Sequence, residues 1–362
     1  MATLDEVFNA EELVKYADTL MKDDNPALWE SLFPSEIAPS LELKWIKGSK
    51  EQIVTLRPSE LDEMAARRNA VGAQSITTEM PFFREAAVID EKQRQHLTML
   101  IASYTSRDYI DAALANLYDH HASLILGAYG MCDVMAGALI TSGQILASAP
   151  DNSGRDVRYS YNYDDANGSW AANNITQLTG DAQWTPENKA TSKPVDDLLK
   201  AIEDMAERGY NIARILMNTT TFRAYYGSES VSKALQPLGG LVRKASAKGL
   251  LEDETEANLM IYDRVLKDAN GNDIKVIPDH HVVLLPDGPL GKMYFGPTPE
   301  AFDLRMKKSI PAKDIAISGQ GVSVLTYTED HPIRHNTVVS MAALPSFTAM
   351  DGVAVIRTKV AA

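Results

Sequence analysis

Apolar positions recur every three or four residues in "NAEELVKYADTLMKD", residues 9–23, and that spacing predicts an amphipathic helix. The stretch after it, "NPALWESLFPSEIAPS", is broken by prolines and reads as extended and irregular. It carries Leu28, Trp29, Leu32, Phe33 and Ile37, more apolar surface than a solvated tail holds, so this arm packs on its own body or on a neighbour. From Leu41 the period shortens to two: "LELKWIKGSKEQIVTL" and "ITTEMPFFREAAVI" alternate like strands. Between them lie about twenty polar residues, "RPSELDEMAARRNAVGA" among them, longer than the ~12–15 of an ordinary connection, and they read as a protruding loop.

Residues 90–103 read as a short helix, and Arg107 opens a much longer one. Ile110, Leu114, Leu117, His121, Leu124, Ala128, Met131 and Met135 step along one face. The run is about 30 residues, or ~45 Å, before Gly137 and "TSGQ" close it. Residues 155–300 read as a separate α/β unit. "RDVRYSYNYDD" alternates up to a hairpin signal at Asn167-Gly168, Pro194 opens "VDDLLKAIEDMAERG" and Gly209 stops it, "ARILMN" is a buried strand and "TTTFRAYYGS" leads a second short helix. "LMIYDRVL" and "IKVI" are joined around Asn270-Gly271, a strong hairpin signal. Strands return near the end in "GVSVLTYT", "TVVSMAAL" and "GVAVIRTKV", the first two separated by the polar turn "EDHPIRHN". Neither an internal repeat nor a low-complexity tract interrupts this order.

With 362 residues, 45% of them hydrophobic, the chain can bury one large core or two ordinary ones. Its net charge is −14, and the first forty residues hold nine Asp or Glu against two Lys, which excludes a basic DNA-binding arm. No run approaches the ~18 unbroken apolar residues of a membrane helix, and the acidic start lacks the order of a secretion signal, so synthesis in the cytoplasm is expected. The single cysteine, Cys132, excludes an internal disulfide and a thiolate zinc cluster, and its apolar setting reads as core.

Two Asp-His-His triplets, Asp119-His120-His121 and Asp279-His280-His281, raise the question of a divided metal site. Helical neighbours point about 100° apart and strand neighbours point to opposite faces, so each triplet offers one ligand at most. On the helix His121 falls on the apolar stripe and His120 off it. His331 and His335 have i, i+4 spacing, but Pro332 restrains His331 from helical angles and the setting is a turn. There is no GxxxxGK[ST], GxSxG or GxGxxG, and the acidic pairs Asp164-Asp165 and Asp196-Asp197 read as charged surface. No catalytic, cofactor or metal residue is nominated. Arg67-Arg68 in the loop and Arg334 in the last turn are different in kind, because arginine suits bidentate contacts across interfaces.

The order of parts resembles the major capsid proteins of tailed phages, the Hong Kong 97 fold, and in particular the lambda-type capsid protein E family. The resemblance is carried by "LFPSEIAPS", "RRNAVGA", "MPFFREAAVIDEKQRQHL", "KVIPDHHVVLLPDGPLGKMYFGPTPE" and "TEDHPIRHNTVVSMAALPSFTAMDGVAVIRTKV", and it spans nearly the whole chain. It implies an α+β fold with an N-arm (1–40), an extended β-hairpin loop (41–88), a peripheral domain with a spine helix (89–155), an axial domain (156–300), peripheral strands and loop (301–350), and a final strand returning to the axial domain (351–362).

The resemblance implies a structural protein, not an enzyme, that self-assembles as hexamers and pentamers into the icosahedral head of a tailed double-stranded DNA phage. Its implied place is the virion capsid, reached from the host cytoplasm. Implied partners are further copies, a scaffold protein and portal, a decoration protein, and packaged DNA held without specific binding; no membrane is involved. Inter-subunit contacts are expected from Trp29, Phe33, Arg67, Arg68, Asp330, His331, Arg334 and His335. Some relatives cross-link a loop lysine to a neighbour's asparagine; Lys47 or Lys50 with Asn336 would be the pair here, and the lambda-type resemblance argues against it. Competing readings are an encapsulin-like cellular shell and a metal-dependent hydrolase using the histidines.

Overall fold

A computed structural model describes residues 9–23, 27–47, 74–102, 107–150, 156–164, 167–235, 244–268, 271–305, 313–319, 321–331 and 333–360. These fall into two compact units, the first within Met1–Leu43, Thr77–Ala136 and Lys292–Ser346, the second within Lys44–Ile76, Gly137–Gly291 and Phe347–Ala362.

The first unit is built on a six-stranded sheet. β14 (Lys313–Ser318), β15 (Val322–Asp330) and β16 (Ile333–Pro345) form an antiparallel meander. Along its length β16 also pairs in succession with β4 (Phe82–Ile89) and β13 (Met293–Phe295), and β1 (Ser35–Ile37) runs parallel to β13. The period-two pattern of "GVSVLTYT" and "TVVSMAAL" thus becomes the hairpin β15–β16. Helix Ala10–Asp23 and the part of the long helix Arg107–Ser142 that lies in the first unit cover one face of this sheet. The amide of Ala10 donates to Asp314 (2.8 Å), His121 Nδ1 pairs with Thr337 Oγ1 (2.8 Å), and Cys132 Sγ lies 3.8 Å from Met341 Sδ.

The arm is anchored within its own protomer. Leu28–Leu32 is helical, the Trp29 amide donates to buried Asp133 (2.9 Å), and the Trp29 ring stacks on Tyr129 at 6.4 Å and meets Phe295 edge-on at 5.9 Å. Trp29 is 4% exposed and Phe33 fully buried. The expectation that these two offer apolar surface to a neighbour is corrected: the protomer's own core takes them, because β1 and the short helix tie the arm to the sheet.

The long helix runs to Ser142, past the Gly137 expected to end it. Gly137 is needed for closeness instead, since a Cβ there would meet the Val276 carbonyl oxygen at 2.2 Å. The real stop is Gly143, whose φ of +68° favours glycine. By length and composition Leu117–Ser142 would pass for a membrane span, but 56% of its most apolar stretch is buried inside the protein.

In the second unit a five-stranded sheet has the order β7 (Ile175–Gln177), β17 (Ala354–Arg357), β12 (His281–Pro286), β8 (Ile212–Met217), β9 (Asn258–Ile261). β12 is antiparallel to β17 and β8, while the outer pairs are parallel. Helices Pro194–Glu207, Thr219–Tyr226, Glu229–Leu235 and Lys244–Thr255 belong to the same unit, whose core includes Trp184, Leu198, Phe222, Tyr225, Leu251, Leu284 and Ile356. β10 (Val265–Lys267) and β11 (Asp273–Lys275) form the expected hairpin, with Gly271 at φ +83°. Two further ribbons stand apart: β2 (Glu42–Lys47) with β3 (Gln74–Glu79), and β5 (Gln144–Pro150) with β6 (Asp156–Asn162).

Asn167-Gly168 is not a hairpin turn. Strand β6 pairs backwards with β5, and Gly168 precedes helix Ser169–Asn174, whose Trp170 and Ala171 amides donate to the Asp164 carboxylate at 2.9 and 3.0 Å. Asp197 likewise is more than charged surface, since it accepts the Trp184 indole N–H at 2.9 Å.

Candidate inter-subunit surface

The two faces of the β14–β15–β16–β4 sheet have different fates. Register fixes the rows. Asp314, Thr326, Thr337 and Ala87 share the face under the helices; Ile315, Leu325, Val338 and Ala86 share the other. On the helix side Val322, Val324, Val339 and Met341 are buried. On the opposite side Ile315, Leu325, Val338 and Tyr327 are only partly covered, and Ile317 and Val88 are about 40% exposed, at 39% and 42%.

One end of this open face is occupied by helix Pro299–Arg305. There Glu300 is buried and accepts from Arg84 (2.6 Å) and Ser340 (3.1 Å), while Thr298 pairs with Ser323 at 2.5 Å. Arg84 also sits 4.8 Å over the Phe82 ring. The same helix leaves Phe302 and Leu304 exposed. At the other end the hairpin tip pairs Glu329 with Arg334 and Asp330 with Ile333. An apolar middle with charged ends is the composition of a contact surface.

Of the expected contact residues, Asp330, His331 and Arg334 are exposed at this tip. His335 points to the helix side, 9% exposed, with Nδ1 3.4 Å from Thr328 Oγ1. It is therefore a core residue of the protomer and its expected contact role is corrected: strand alternation turns it inward, whereas Trp29 and Phe33 are drawn in by the anchoring of the arm. Arg67, Arg68 and Lys50 lie outside the described residues. Asn336 is buried at 6%, so it presents no reachable cross-linking partner.

The triplets resolve into local structure. His121 is buried and His120 exposed, as the helical stripe requires. Burial, then the like charges of His120 and His335, push the His121 imidazole down to about 4. In the other triplet Asp279 bonds Lys275 (2.6 Å) and the Asn218 side-chain amide (2.6 Å), and Asn218 in turn accepts from the Thr221 amide to cap helix Thr219–Tyr226. His280 turns the corner at φ +63°, with its amide on Thr221 Oγ1 (2.9 Å) and its carbonyl accepting from the Thr358 amide (2.8 Å). His281 Nδ1 meets the Asp279 carbonyl at 2.9 Å. Among the described residues no group of three or more His, Cys, Asp or Glu is placed to hold a metal ion. Sequence reasoning missed Glu300, Asp133 and Asn218. A lone acid in "PTPEAF" or "MCDVM", or an asparagine after a strand, gives no local signal of Arg84, Trp29 and Asp279, which lie 216, 104 and 61 residues away.

The profile of the phage major capsid protein E family matches residues 14–358. Among solved structures the chain is similar to the protein assigned as the capsid protein of a prophage of E. coli CFT073, with 14% identity and a TM-score of 0.58, covering 97% of this chain and 99% of that one. It is also similar to a phage-related protein of Bordetella bronchiseptica RB50, with 13% identity and a TM-score of 0.54, covering 96% of both. No curated protein matches it in sequence. The shared architecture is the Hong Kong 97-type α+β fold, and the encapsulin-like alternative is the weaker one. The chain belongs to the phage major capsid protein E family: it is a structural subunit of a virion capsid and not an enzyme.

Proposed function

We propose that copies of this chain join through the open sheet face and the β15–β16 tip into hexamers and pentamers that close an icosahedral head. The observation that carries this reading is the half-covered apolar row Ile315, Leu325, Val338 and Ala86, framed by Arg84–Glu300 at one end and Glu329–Arg334 at the other. Asp330, His331 and Arg334 meet neighbours at the tip, and Arg67 and Arg68 add contacts of their own. The first unit is the peripheral domain with the long helix as its spine; the second is the axial domain. A scaffold protein guides assembly, a portal occupies one vertex, and a decoration protein reinforces the shell. Packaged DNA meets walls of copies that each carry net charge −14, which suits a container that must not grip its contents.

Charge reversal at the tip tests it. Arg334→Glu keeps the protomer folded and reduces capsomers and shells in sedimentation velocity at least severalfold; assembly equal to wild type would overturn the role of the tip. The shell is held without covalent cross-links, so boiling it in detergent releases single chains, and a ladder of multimers would contradict this.

A further inference from the structure

Among the described residues the ribbon β5–β6 is a sheet of two strands. It pairs Gln144 with Asn162 through to Pro150 with Asp156, and among the described residues neither strand joins the five-stranded sheet of its own unit. Its root is secured. Ile145 and Tyr163 are buried, and the Tyr163 amide donates to the Gly143 carbonyl at 3.0 Å. On one face Tyr159 and Tyr161 stack at 6.4 Å. On the other, Leu146 stands 71% exposed opposite Ser160.

Two strands alone are marginal in water, and an unpaired edge is a template for a further strand. Native proteins usually blunt such an edge with charge. β5, "QILASAP", has no charged residue in a chain where 23% are charged; only Pro150 at its end limits pairing. β6 by contrast carries Asp156 and Arg158.

We propose that the free edge of β5 receives a strand from a second copy of this chain, with Leu146 covered in the contact. The proposal rests on the shell reading above. Copies of net charge −14 repel one another over most of their surface, so they approach most readily where charge is missing, and β5 is such a place. A nucleic acid has no cation to hold on this strand. In strand addition the main-chain hydrogen bonds supply the affinity, so the incoming strand needs no charged partner on β5.

The chain allows a clean test, because its one thiol, Cys132, is fully buried. In a Leu146→Cys variant the new thiol reacts freely with a maleimide in dissociated copies and at least tenfold more slowly in shells assembled from this chain alone. Hydrogen exchange on wild-type shells shows alternate β5 amides, those facing away from β6, gaining protection on assembly. Shells in which both readouts match the dissociated protein overturn the proposal while leaving the shell reading intact. Protection that appears only when another protein is added overturns it too, because the occupant is then not a copy. Wild-type protein that forms no assembly defeats the shell reading itself.

Discussion

The helix-covered and open faces of the β14–β15–β16–β4 sheet alternate residue by residue on the same strands, yet they do different work. On the covered face Thr337, Val339 and Met341 are buried against helices of the same protomer; between them Val338 looks out, beside Ala86 and Leu325. One face stabilises the subunit, and the other is the face proposed to meet neighbours. A single strand can serve both purposes because its side chains separate with a period of two.

Substitutions on the two faces should therefore fail in different ways. Met341→Ala, on the covered face at 1% exposure, removes core packing and costs about 2–5 kcal/mol of protomer stability, read by denaturant unfolding of dissociated copies. His121, also on that side, makes the core acid-sensitive. Its folded value lies at about 4, against 6.5 when exposed, so the unfolded chain binds the proton first as pH falls. The stability present above about 6.5 is lost between there and about 4, on the order of 3 kcal/mol, and His121→Gln flattens that slope in acid unfolding curves. Val88→Lys on the open face changes protomer stability by less than about 0.5 kcal/mol. It nevertheless places a charge in the apolar contact and suppresses assembly in light scattering; a stability loss as large as that of Met341→Ala would erase the distinction between the faces.

Much of this arrangement was legible from spacing alone. The alternating runs gave β15 and β16, the threes and fours gave the long helix, and the same stripe turned His121 inward and His120 outward. Asn270-Gly271 marked its hairpin because a positive φ is required within so short a turn. What failed was whatever depends on distant partners. Gly137 reads as a helix stop, but Val276 presses on it from far along the chain. Asn167-Gly168 reads as a turn, but β6 prefers β5, and Gly168 serves the helix after it.

The apolar residues of the arm announced that something covers them without saying what. Trp29 and Phe33 turned out to be covered by the protomer. The Asp279-His280-His281 corner shows the same limit, since its role comes from Asn218 and Thr221, about sixty residues earlier, and no local pattern names them.

The central claim is that this chain builds a shell from copies of itself. Negative-stain electron microscopy of the purified protein, alone or with its scaffold, tests that most directly. Shells, curved sheets or capsomers are the expected image, and a clean monomer at high concentration would contradict the account.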